Sequence, residues 1–323
     1  MDVAVIADRE GAFAEALVAQ APTSLALTID RDLSPSPTAE VLISGRPSEE
    51  WLAAGENLRW VVIPFAGLPR ITVERLDPYP QIGLLNLHHN AAPTAEHAIG
   101  LLLATAKKLL PADRALRKGD WRMRYEMETS QILAGKRALV LGGGAIGTRV
   151  ARVLRALDLS VQVLVRTRQN DREGLPLAEQ VTPNEIDTVL PNIDMVICTL
   201  PDTPETRGSF GATRLALLPE HAIVVNVGRA AIFDDEALFR ALEEGRLGGA
   251  GLDVWPKVPE TEEERENTEP SPFPYHSLEN VVLSPHRAGH GAGIEALRAS
   301  HCLDRLDEIA QGVATPIDRT RGY

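Results

Sequence analysis

Cysteine is scarce in this sequence, since Cys198 and Cys302 are the only two among 323 residues. Two isolated thiols cannot form a disulfide framework, and neither has neighbours at the spacing of a metal site. We therefore expect no disulfide scaffold and no metal, and a reducing cytoplasmic setting fits this usage. Cys198 lies inside an apolar run of strand type, which is typical of a small core residue.

Long uncharged apolar runs are also missing, so the sequence predicts no membrane-spanning helix. The amino terminus enters a strand pattern at once, and we expect no signal peptide before it. Basic residues are outnumbered, since 33 Lys and Arg stand against 45 Asp and Glu and give a formal net charge of −12. That balance argues against nonspecific binding to nucleic acid or to an anionic membrane, although a local arginine cluster could still hold an anionic substrate.

What the sequence does contain is a glycine-rich turn between a strand pattern and a helix pattern. Gly142, Gly144 and Gly147 follow an apolar run at the spacing G-x-G-x-x-G. Gly142 would permit the tight turn, Gly144 would let the backbone approach a pyrophosphate, and Gly147 would let the helix pack on its strand. The helix start at Ala145 and Ile146 offers N–H donors and a positive dipole end to phosphates. The alternative is a strand-to-helix turn that binds no ligand.

The region that carries this turn, residues 137 to 286, alternates strand and helix patterns. Strands are predicted near 137–141, 161–165, 194–198, 222–226, 249–253 and 281–284, and helices near 146–157, 184–190, 213–218 and 234–245. Six strands with the glycine turn after the first predict a doubly wound Rossmann domain that binds a dinucleotide.

Residues 1 to about 90 form a second alternating pattern. Short apolar runs occur at 3–7, 25–29, 41–44, 60–64 and 82–85, with helical segments such as Ala12–Gln20 between several of them. This order predicts a parallel, flavodoxin-like sheet. Because no glycine-rich turn occurs here, we do not expect this region to hold the dinucleotide. One more helix, over Gly293–Gln311, is expected to return to this first domain.

A strongly helical segment opens at Pro93 or Thr94, with Glu96 adding negative charge to its first turn. Its apolar face is too broad for a lone surface helix and comprises Ile99, Leu102, Leu103, Ala106, Leu109 and Leu110. We expect this face to be buried between domains or between subunits.

The end of the second Rossmann strand indicates which coenzyme is preferred. An NAD-binding domain would place Asp or Glu there to accept hydrogen bonds from the ribose hydroxyls. This sequence has Arg166, Thr167 and Arg168 instead. Two guanidinium groups and a hydroxyl match a 2′-phosphate, so the sequence predicts NADP(H) rather than NAD(H). The alternative is a solvated basic turn, since charges of mixed sign follow at Asp171, Arg172 and Glu173.

Three later strands end in polar residues that suit hydride chemistry. Arg229 follows the fourth strand, Asp253 the fifth and His286 the last. Carboxyl ends of parallel strands form the edge at which open α/β sheets bind ligands. Reduction of a 2-oxo acid needs a cation for the carboxylate and carbonyl and a proton donor near neutrality, and Arg229 and His286 have those chemistries. Taken singly, Arg229 could instead cap a helix, and His286 could be a histidine satisfied in the core.

These motifs together resemble the D-isomer-specific 2-hydroxyacid dehydrogenase family over nearly the whole chain. The resemblance includes the three strand ends, the segment Pro93–Ala98 and the segment Leu200–Gly208. It implies a substrate domain split between residues 1–92 and 290–323, and an NADP-binding domain at 93–289 inserted into it. It also implies a homodimer built partly on the helix near Pro93, and a small 2-oxo or 2-hydroxy acid as substrate.

The resemblance also assigns roles to residues. Arg229 is implied as the substrate-binding arginine, His286 as the acid/base with Asp253 beside it, and the Phe65-Ala66-Gly67-Leu68 backbone as a carboxylate cradle. Leu200, Pro201 and Asp253 join the coenzyme-binding set. The Arg166-Thr167-Arg168 turn is similar to that of NADPH-linked glyoxylate/hydroxypyruvate reductases.

One position departs from the family pattern. The family usually has a Glu five residues after the Asp of the fifth strand, where it pairs with the catalytic histidine, but this chain has Val258. Loss of a neighbouring carboxylate lowers a histidine pKa by on the order of one unit or more. Glu260 or Asp253 could compensate. Alternatives are an NADP(H)-sensing protein with weak or lost catalysis, or a formate-type oxidation that needs no proton relay.

The segment that follows, Glu260 to Pro272, is longer and more acidic than the usual family loop. We interpret it as a solvated, mobile surface loop rather than a flap that supplies an acid. His88, His89 and His290 are interpreted as packing or supporting residues, with no metal spacing among them.

Overall fold

The computed structural model describes residues 1–125, 130–170, 175–176 and 179–319, and the chain divides into two compact units. Unit 1 comprises Met1–Asn90 and the chain from His290 onwards, and unit 2 comprises Ala91–Gly289. The sequence-based boundaries were 92/93 and 289/290. Residues 320–323 of the predicted substrate domain, and the charged residues Asp171, Arg172 and Glu173, lie outside the described residues.

The first segment of unit 1 alternates strands and helices. In chain order these are β1 (Asp2–Ile6), α1 (Ala12–Gln20), β2 (Ala26–Asp30), β3 (Val41–Ile43), α2 (Glu49–Ala54), β4 (Trp60–Ile63), α3 (Arg70–Leu76) and β5 (Gly83–Asn86). The strands pair in parallel in the order β2-β1-β3-β4-β5. This is the flavodoxin-like order that the sequence predicted.

Unit 2 holds the longer alternating pattern. Its elements are α4 (Ala91–Ala106), α5 (Leu109–Leu116), β6 (Arg137–Leu141), α6 (Ala145–Ala156), β7 (Ser160–Leu164), β8 (Gln180–Val181), α7 (Ile186–Val189), β9 (Met195–Cys198), α8 (Ala212–Leu217), β10 (Ile223–Asn226), α9 (Asp235–Glu243), β11 (Gly249–Leu252) and β12 (Val281–Leu283). Short 3₁₀ turns lie at Arg122–Arg124, Leu190–Asn192, Ala230–Ile232, Glu263–Glu266 and Tyr275–Ser277. The chain then returns to unit 1 as α10 (Ile294–Ala310).

The parallel sheet of unit 2 has the order β12-β11-β10-β9-β6-β7-β8, which is the doubly wound Rossmann order. The order reverses between β6 and β9, so the loops after these strands lie at the switch point where such sheets bind ligands. The described residues contain a seventh strand beyond the six predicted. β8 was missed because it is only two residues long and lies at the sheet edge, where no long apolar run is needed.

Apolar cores cover both faces of the unit 2 sheet. One contains α4 and α6 residues such as Leu102 and Val150, and the other contains α8 and α9 residues such as Leu215 and Leu238. In unit 1, α10 packs on α1 and contributes Ala299, Cys302 and Leu306 to the core beneath β1 and β3. Burial raises the pKa of the Cys302 and Cys198 thiols to about 12, so both are inert core residues.

The broad apolar face predicted from Pro93 onwards is used differently from expectation. The helix begins at Ala91, and its buried face packs on α6, β10 and β11 within unit 2 itself. The expectation that Ile99, Leu102 and Ala106 fill an interface between domains or subunits was therefore wrong, because they belong to the unit's own core. Leu109 and Leu110 fall in the separate helix α5 and are exposed. No helix among the described residues combines the length and apolar character needed to cross a bilayer.

Candidate active site

The glycine turn after β6 cannot accept a side chain at two of its three glycines, for different reasons. Gly142 has φ +99°, in the region that side chains avoid. A Cβ on Gly147 would lie 1.8 Å from the Gly142 carbonyl oxygen, so α6 packs directly against the turn. A Cβ on Gly144 would meet nothing within 4 Å. Gly144 is exposed at the N-terminus of α6, where N–H groups of Ala145 and Ile146 begin the helix. This cradle fits a pyrophosphate.

Thr199, which follows β9, braces the same turn and was not identified from the sequence. Its Oγ1 lies 3.0 Å from the Leu141 carbonyl oxygen and 3.2 Å from that of Gly142, to which it donates. The atom also lies close to both Gly142 and Gly147, within 3.1 Å of the positions where their Cβ atoms would be. A threonine at the end of an apolar strand carries no local signal of this role, which exists only because β9 pairs with β6.

The segment from Leu200 to Gly208 is held by threonine hydroxyls. Thr206 Oγ1 donates to the Pro201 carbonyl oxygen at 2.6 Å and accepts from the Thr203 N–H at 2.9 Å. Leu200 contacts the next strand end closely, because a Cβ on Gly228 would lie 2.6 Å from the Leu200 carbonyl oxygen. The loop that we predict to contact coenzyme is thereby packed against the residue that precedes Arg229.

The basic turn after β7 is exposed, but its two arginines have different surroundings. Arg168 Nη2 donates to Glu185 Oε1 at 2.7 Å, and its Nε donates to the Gln180 carbonyl oxygen at 3.2 Å. Arg166 lies near Glu205 and helps to lower the pKa of that carboxyl group, after hydrogen bonds from Thr203 and the Glu205 backbone. Arg168 is therefore already ion-paired at the position where the sequence predicted two phosphate-binding guanidinium groups.

Arg229 follows β10 and is presented by a buried asparagine that the sequence interpretation missed. Asn226 is 2% exposed; its Nδ2 donates to the Arg229 carbonyl oxygen at 3.0 Å, and its Oδ1 accepts from the Gly228 N–H at 3.1 Å. Arg229 Nη1 donates to the Gly228 carbonyl oxygen at 2.7 Å. Burial lowers the pKa of Arg229, and Asp202 partly offsets that effect. An arginine remains charged under such conditions, so the site retains a partly buried cation.

Asp253 follows β11 and is 1% exposed, yet its carboxylate is fully engaged. Oδ1 accepts from Ser284 Oγ at 2.5 Å and from the Arg287 N–H at 2.9 Å, and Oδ2 accepts from the Ala288 N–H at 2.9 Å. We call this arrangement the Asp253 clamp. Because its donors flank His286 on both sides, the carboxylate fixes the backbone of the loop that carries the histidine.

His286 has φ +52°, an uncommon conformation for a residue with a side chain. Such a conformation costs on the order of 1 kcal/mol or more and persists only where neighbours enforce it. The clamp supplies that enforcement, together with the Trp255 indole, which donates to the Ser284 carbonyl oxygen at 2.8 Å. His286 is exposed. A strained, exposed histidine on a rigid loop is typical of a functional position.

Val258 is 47% exposed, in the segment after β11. The acidic segment that follows it makes hydrogen bonds within itself. Glu264 Oε2 accepts from the Glu260 N–H at 2.7 Å, and Thr268 Oγ1 donates to the Glu264 carbonyl oxygen at 2.6 Å. The predicted surface position of this segment agrees with the exposure of Glu260 to Glu266, but it was wrong for Ser271, which is buried and donates to Asp235 Oδ2 at 2.6 Å. These residues include a 3₁₀ turn over Glu263–Glu266, which the sequence interpretation did not anticipate.

Unit 1 contains the remaining predicted site residues. Phe65, Ala66 and Gly67 follow β4 and are partly buried. Asn86 Nδ2 donates to the Ala66 carbonyl oxygen at 2.8 Å, and the Phe65 ring fills the space beside Gly45, whose Cβ would lie 2.5 Å from it. The backbone of this loop is therefore held in one shape.

A histidine and arginine cluster follows β5 in the same unit. His89 is 3% exposed, and its Nε2 accepts from Arg298 Nε at 3.4 Å. Burial lowers the pKa of His89 to about 4, with further lowering by Arg298, His301 and His88. Burial likewise lowers the pKa of His88. His290 is exposed. His89 is thus a buried neutral residue, in line with a packing role.

Within unit 2 the sheet order brings the predicted groups to one edge. Arg229, Asp253 and His286 follow β10, β11 and β12, which are successive neighbours, and the glycine turn follows β6, which is next to β9 and so two strands from β10. The arrangement joins a phosphate cradle, a partly buried cation and a rigidly held imidazole. Such a set can bind an anionic substrate, polarise a carbonyl group and exchange a proton.

Comparison with known proteins identifies relatives of this chain. The family described as D-isomer specific 2-hydroxyacid dehydrogenase, NAD binding domain, matches residues 99–288. A D-3-phosphoglycerate dehydrogenase of Archaeoglobus fulgidus is 36% identical over 243 residues, 74% of this chain and 43% of that protein. A glyoxylate reductase of Pyrococcus furiosus is 35% identical over 204 residues, 60% of this chain and 55% of that protein. The chain thus spans about half the length of the curated relatives it matches.

Solved structures extend the similarity over the whole chain. A D-isomer specific 2-hydroxyacid dehydrogenase from Xanthobacter autotrophicus, in complex with NADPH and MES, is 26% identical with a TM-score of 0.81, covering 100% of this chain and 99% of that chain. An NADPH-dependent glyoxylate/hydroxypyruvate reductase from Sinorhizobium meliloti, in complex with NADP and sulfate, is 22% identical with a TM-score of 0.79 and the same coverage. The second similarity shows a shared fold.

Proposed function

The chain belongs to the D-isomer specific 2-hydroxyacid dehydrogenase family, and on that premise we propose that it reduces a small 2-oxo acid to a D-2-hydroxy acid with NADPH. The observation that carries the proposal is the placement of Arg229, Asp253 and His286 after three neighbouring strands, on the sheet that also bears the glycine turn. A partly buried cation, a rigid loop and an imidazole at one sheet edge are what carbonyl reduction requires of the protein.

The coenzyme would be held by unit 2. Gly142, Gly144 and Gly147, with the N–H groups at Ala145 and Ile146, would bind the pyrophosphate, and the Leu200–Pro201 backbone would border the nicotinamide half. Bound NADPH supplies the hydride. The open space at Gly144 and the uncapped start of α6 fit this group.

The chemical work of the chain is then divided between two side chains. Arg229 binds the substrate carboxylate and polarises the carbonyl oxygen. Its electrostatic attraction to both is strengthened because partial burial lowers the local dielectric constant. His286 donates a proton to the oxygen as it becomes a hydroxyl group, and accepts one in the reverse direction. Asp253 keeps the His286 loop in place, and the backbone of Phe65, Ala66 and Gly67 is proposed to bind the carboxylate as well.

Preference for NADP(H) over NAD(H) would depend mainly on Arg166 and Thr167. Arg168 must exchange its Glu185 ion pair, at 2.7 Å, for a phosphate oxygen. We therefore expect Arg166→Ala to raise KM for NADPH by about 10-fold or more, as loss of a charged hydrogen bond predicts. Arg168→Ala should have the smaller effect, and neither variant should change KM for NADH. Equal effects on both coenzymes would contradict a 2′-phosphate role.

The proposed reaction is tested by following nicotinamide absorbance with glyoxylate, hydroxypyruvate and longer 2-oxo acids, each with NADPH and with NADH. His286→Ala and Arg229→Ala are expected to abolish turnover while coenzyme binding, measured by calorimetry, persists. Absence of turnover with every acid and both coenzymes would defeat the proposal.

Two glycine variants form a matched test of the coenzyme cradle. Gly144→Ala adds a methyl group to open space, so the folded protein should keep its thermal midpoint but bind NADPH more weakly. Gly147→Ala places the methyl group against the Gly142 carbonyl, so it should destabilise unit 2 directly. Equal NADPH affinity in Gly144→Ala and the wild type would argue that no pyrophosphate approaches this turn.

A second candidate is favoured by Val258, which cannot pair with a histidine. In that case the chain would bind NADP(H) tightly, as a sensor, with weak or no turnover. Tight binding without turnover would support the sensor, whereas activity lost in His286→Ala would exclude it. Formate or phosphite oxidation would instead indicate chemistry that needs no proton relay.

We also propose a homodimer. Its support is a series of exposed apolar side chains that follow α4 in the sequence, namely Leu109, Leu110, Leu116, Trp121, Tyr125 and Ile132. Sedimentation of the wild type and of Leu116→Glu tests this, since a charge within the interface should shift the mass from dimer to monomer. A monomeric wild type would refute it.

A further inference from the structure

A histidine from α4 reaches the loop that carries His286. His97 Nε2 lies 2.8 Å from Ser284 Oγ and 3.5 Å from Asp253 Oδ1. Its side chain is 29% exposed, whereas that of Asp253 is 1% exposed. His97, Ser284 and Asp253 come from three different elements, so this contact exists only in the folded unit.

The direction of these hydrogen bonds follows from the chemistry of each group. Asp253 accepts two backbone N–H groups, from Arg287 and Ala288, so it is the acceptor end of the chain. The single hydroxyl proton of Ser284 is therefore donated to Asp253. Ser284 Oγ is then left to accept, and His97 must donate from Nε2. The geometry fixes His97 with a proton on Nε2, whether or not Nδ1 also carries one.

We propose that His97 is a positioning residue for the reaction, because its Nε2–H donates to Ser284 and thereby holds the Asp253 clamp in the arrangement that presents His286. The proposal rests on the proposed function. It gives this chain a way to orient its acid/base that does not use position 258. The usual Glu acts on the imidazole, whereas His97 acts on the backbone of the loop.

The strained conformation of His286 makes such a support necessary. A residue at φ +52° reverts to a commoner conformation once its neighbours release it. Without the His97 donor, Ser284 can turn its hydroxyl away from Asp253, and one of the clamp's donors is lost. The expected result is a His286 ring with more than one orientation, and a slower proton transfer, in a unit that stays folded.

The first experiment needs no turnover. Protein labelled with ¹⁵N-histidine is examined by long-range ¹H–¹⁵N correlation, and His97 and His286 are assigned from the His97→Gln and His286→Asn spectra. We expect a His97 ring that carries a proton on Nε2, and broadened or doubled His286 signals in Ser284→Ala. The proposal would be overturned by a His97 ring protonated only on Nδ1. It would also be overturned if the His286 signals were identical in Ser284→Ala and in the wild type. This readout stands even if the wild type reduces no 2-oxo acid, so the two failures are distinguishable.

The second experiment separates positioning from general stability. His97→Gln keeps an N–H donor near the Nε2 position, whereas His97→Leu keeps the bulk without the donor. Loss of a hydrogen bond to a charged network predicts that His97→Leu and Ser284→Ala lower kcat about 10-fold. KM for NADPH should be unchanged, and His97→Gln should restore most of kcat.

Ser277→Ala is the matched control, since this exposed hydroxyl donates to the Pro274 carbonyl oxygen within its own turn. It should leave kcat and the pH profile unchanged. The proposal fails if His97→Gln and His97→Leu lose the same activity and the same thermal stability, because His97 would then have only a structural role.

Discussion

Two buried ionisable groups, Asp253 in unit 2 and His89 in unit 1, show opposite ways of placing such a group next to a strand end. Asp253 follows β11, is 1% exposed and is surrounded by donors from Ser284, Arg287 and Ala288. His89 follows β5, is 3% exposed and faces cations, so its pKa falls to about 4. The aspartate is supported by hydrogen bonds, whereas the histidine is accommodated by loss of its charge.

The difference predicts how each region fails. Removing Asp253 leaves several buried donors without an acceptor, so the damage is local and chemical. Adding a proton to His89 places a new cation beside Arg298, which is itself ion-paired with Glu295 at 3.0 Å. His89 Nδ1 has no hydrogen-bond partner among the residues that the structure describes, so nothing there compensates an added charge. Unit 2 should be sensitive to mutation and unit 1 to acid.

The largest effect is expected from Asp253→Ala. Three donors, two of them buried, would lose their acceptor, which predicts a loss of about 3 kcal/mol in the free energy of unfolding of unit 2. The loop would no longer hold His286, so kcat should fall by about 100-fold or more. Urea unfolding in a Trp51→Phe/Trp60→Phe background, which leaves the tryptophans of unit 2 as reporters, and steady-state kinetics measure the two effects. Asp253→Asn keeps the shape of the side chain but leaves only one acceptor oxygen. Wild-type kcat in Asp253→Ala would contradict the role given to Asp253 in holding the His286 loop.

Acid should affect unit 1 next most strongly. Above pH 6.5 His89 is neutral in both the folded and unfolded states, so its ionisation contributes nothing there. As the pH falls towards 4, unfolded His89 binds a proton and folded His89 does not. Stability is therefore lost across that window, by about 3 kcal/mol, and levels off below it. His88, whose pKa is also lowered, adds in the same direction.

His89→Gln isolates this contribution, because glutamine accepts from Arg298 and does not titrate. Urea unfolding between pH 7 and 4, in a Trp121→Phe/Trp255→Phe background, leaves Trp51 and Trp60 of unit 1 as reporters. The variant should lose less stability with falling pH than the parent protein. Parallel pH dependences would mean that His89 is not the group responsible.

Two buried asparagines, one in each unit, allow the same comparison with smaller expected effects on stability. Asn226 ends β10 and makes two hydrogen bonds that shape the Arg229 turn, and Asn86 ends β5 and donates to Ala66. Each substitution by Ala should cost about 1–2 kcal/mol in unfolding free energy, with Asn226 the larger. Asn226→Ala should also raise KM for the 2-oxo acid. An unchanged KM would show that the turn does not position Arg229.

The smallest effect is expected from Glu260→Gln. Glu260 is exposed, and its N–H is bonded to Glu264 within the acidic segment. A surface charge of this kind contributes less than about 0.5 kcal/mol, and kcat should be unchanged. A large fall in kcat would instead show that Glu260 replaces the carboxylate that Val258 lacks.

Regular elements could be predicted from the sequence because their signals are local. The helix Ala12–Gln20 matches the structure residue for residue, and the strand after which the glycine turn lies was placed at 137–141. The spacing also predicted a tight turn at Gly142 and close helix packing at Gly147, in line with the φ of Gly142 and the lack of space beside Gly147. Family likeness supplied the roles that are proposed for Arg229 and His286.

The supporting residues could not be predicted, because their roles depend on which strands are neighbours. Thr199 braces the glycine turn only because β9 pairs with β6, and His97 reaches Ser284 only because α4 packs on the sheet. The same limitation explains the error over α4. The apolar pattern of its sequence is the same whether the helix packs on another subunit or on the core of its own unit. The ion pair between Arg168 and Glu185 could not be predicted either, because the two residues are seventeen positions apart in the sequence.

The interruption of unit 1 has a consequence for biosynthesis. Its core needs α10, which supplies Ala299, Cys302 and Leu306, yet these residues emerge from the ribosome only after all of unit 2. Unit 2 is continuous and can fold during translation. Meanwhile α1 of the amino-terminal segment lacks its packing partner α10, which has not yet been synthesised. Closure over so long a stretch of chain is slow. Chaperone dependence and aggregation of truncated chains should therefore originate in the first ninety residues rather than in the coenzyme domain.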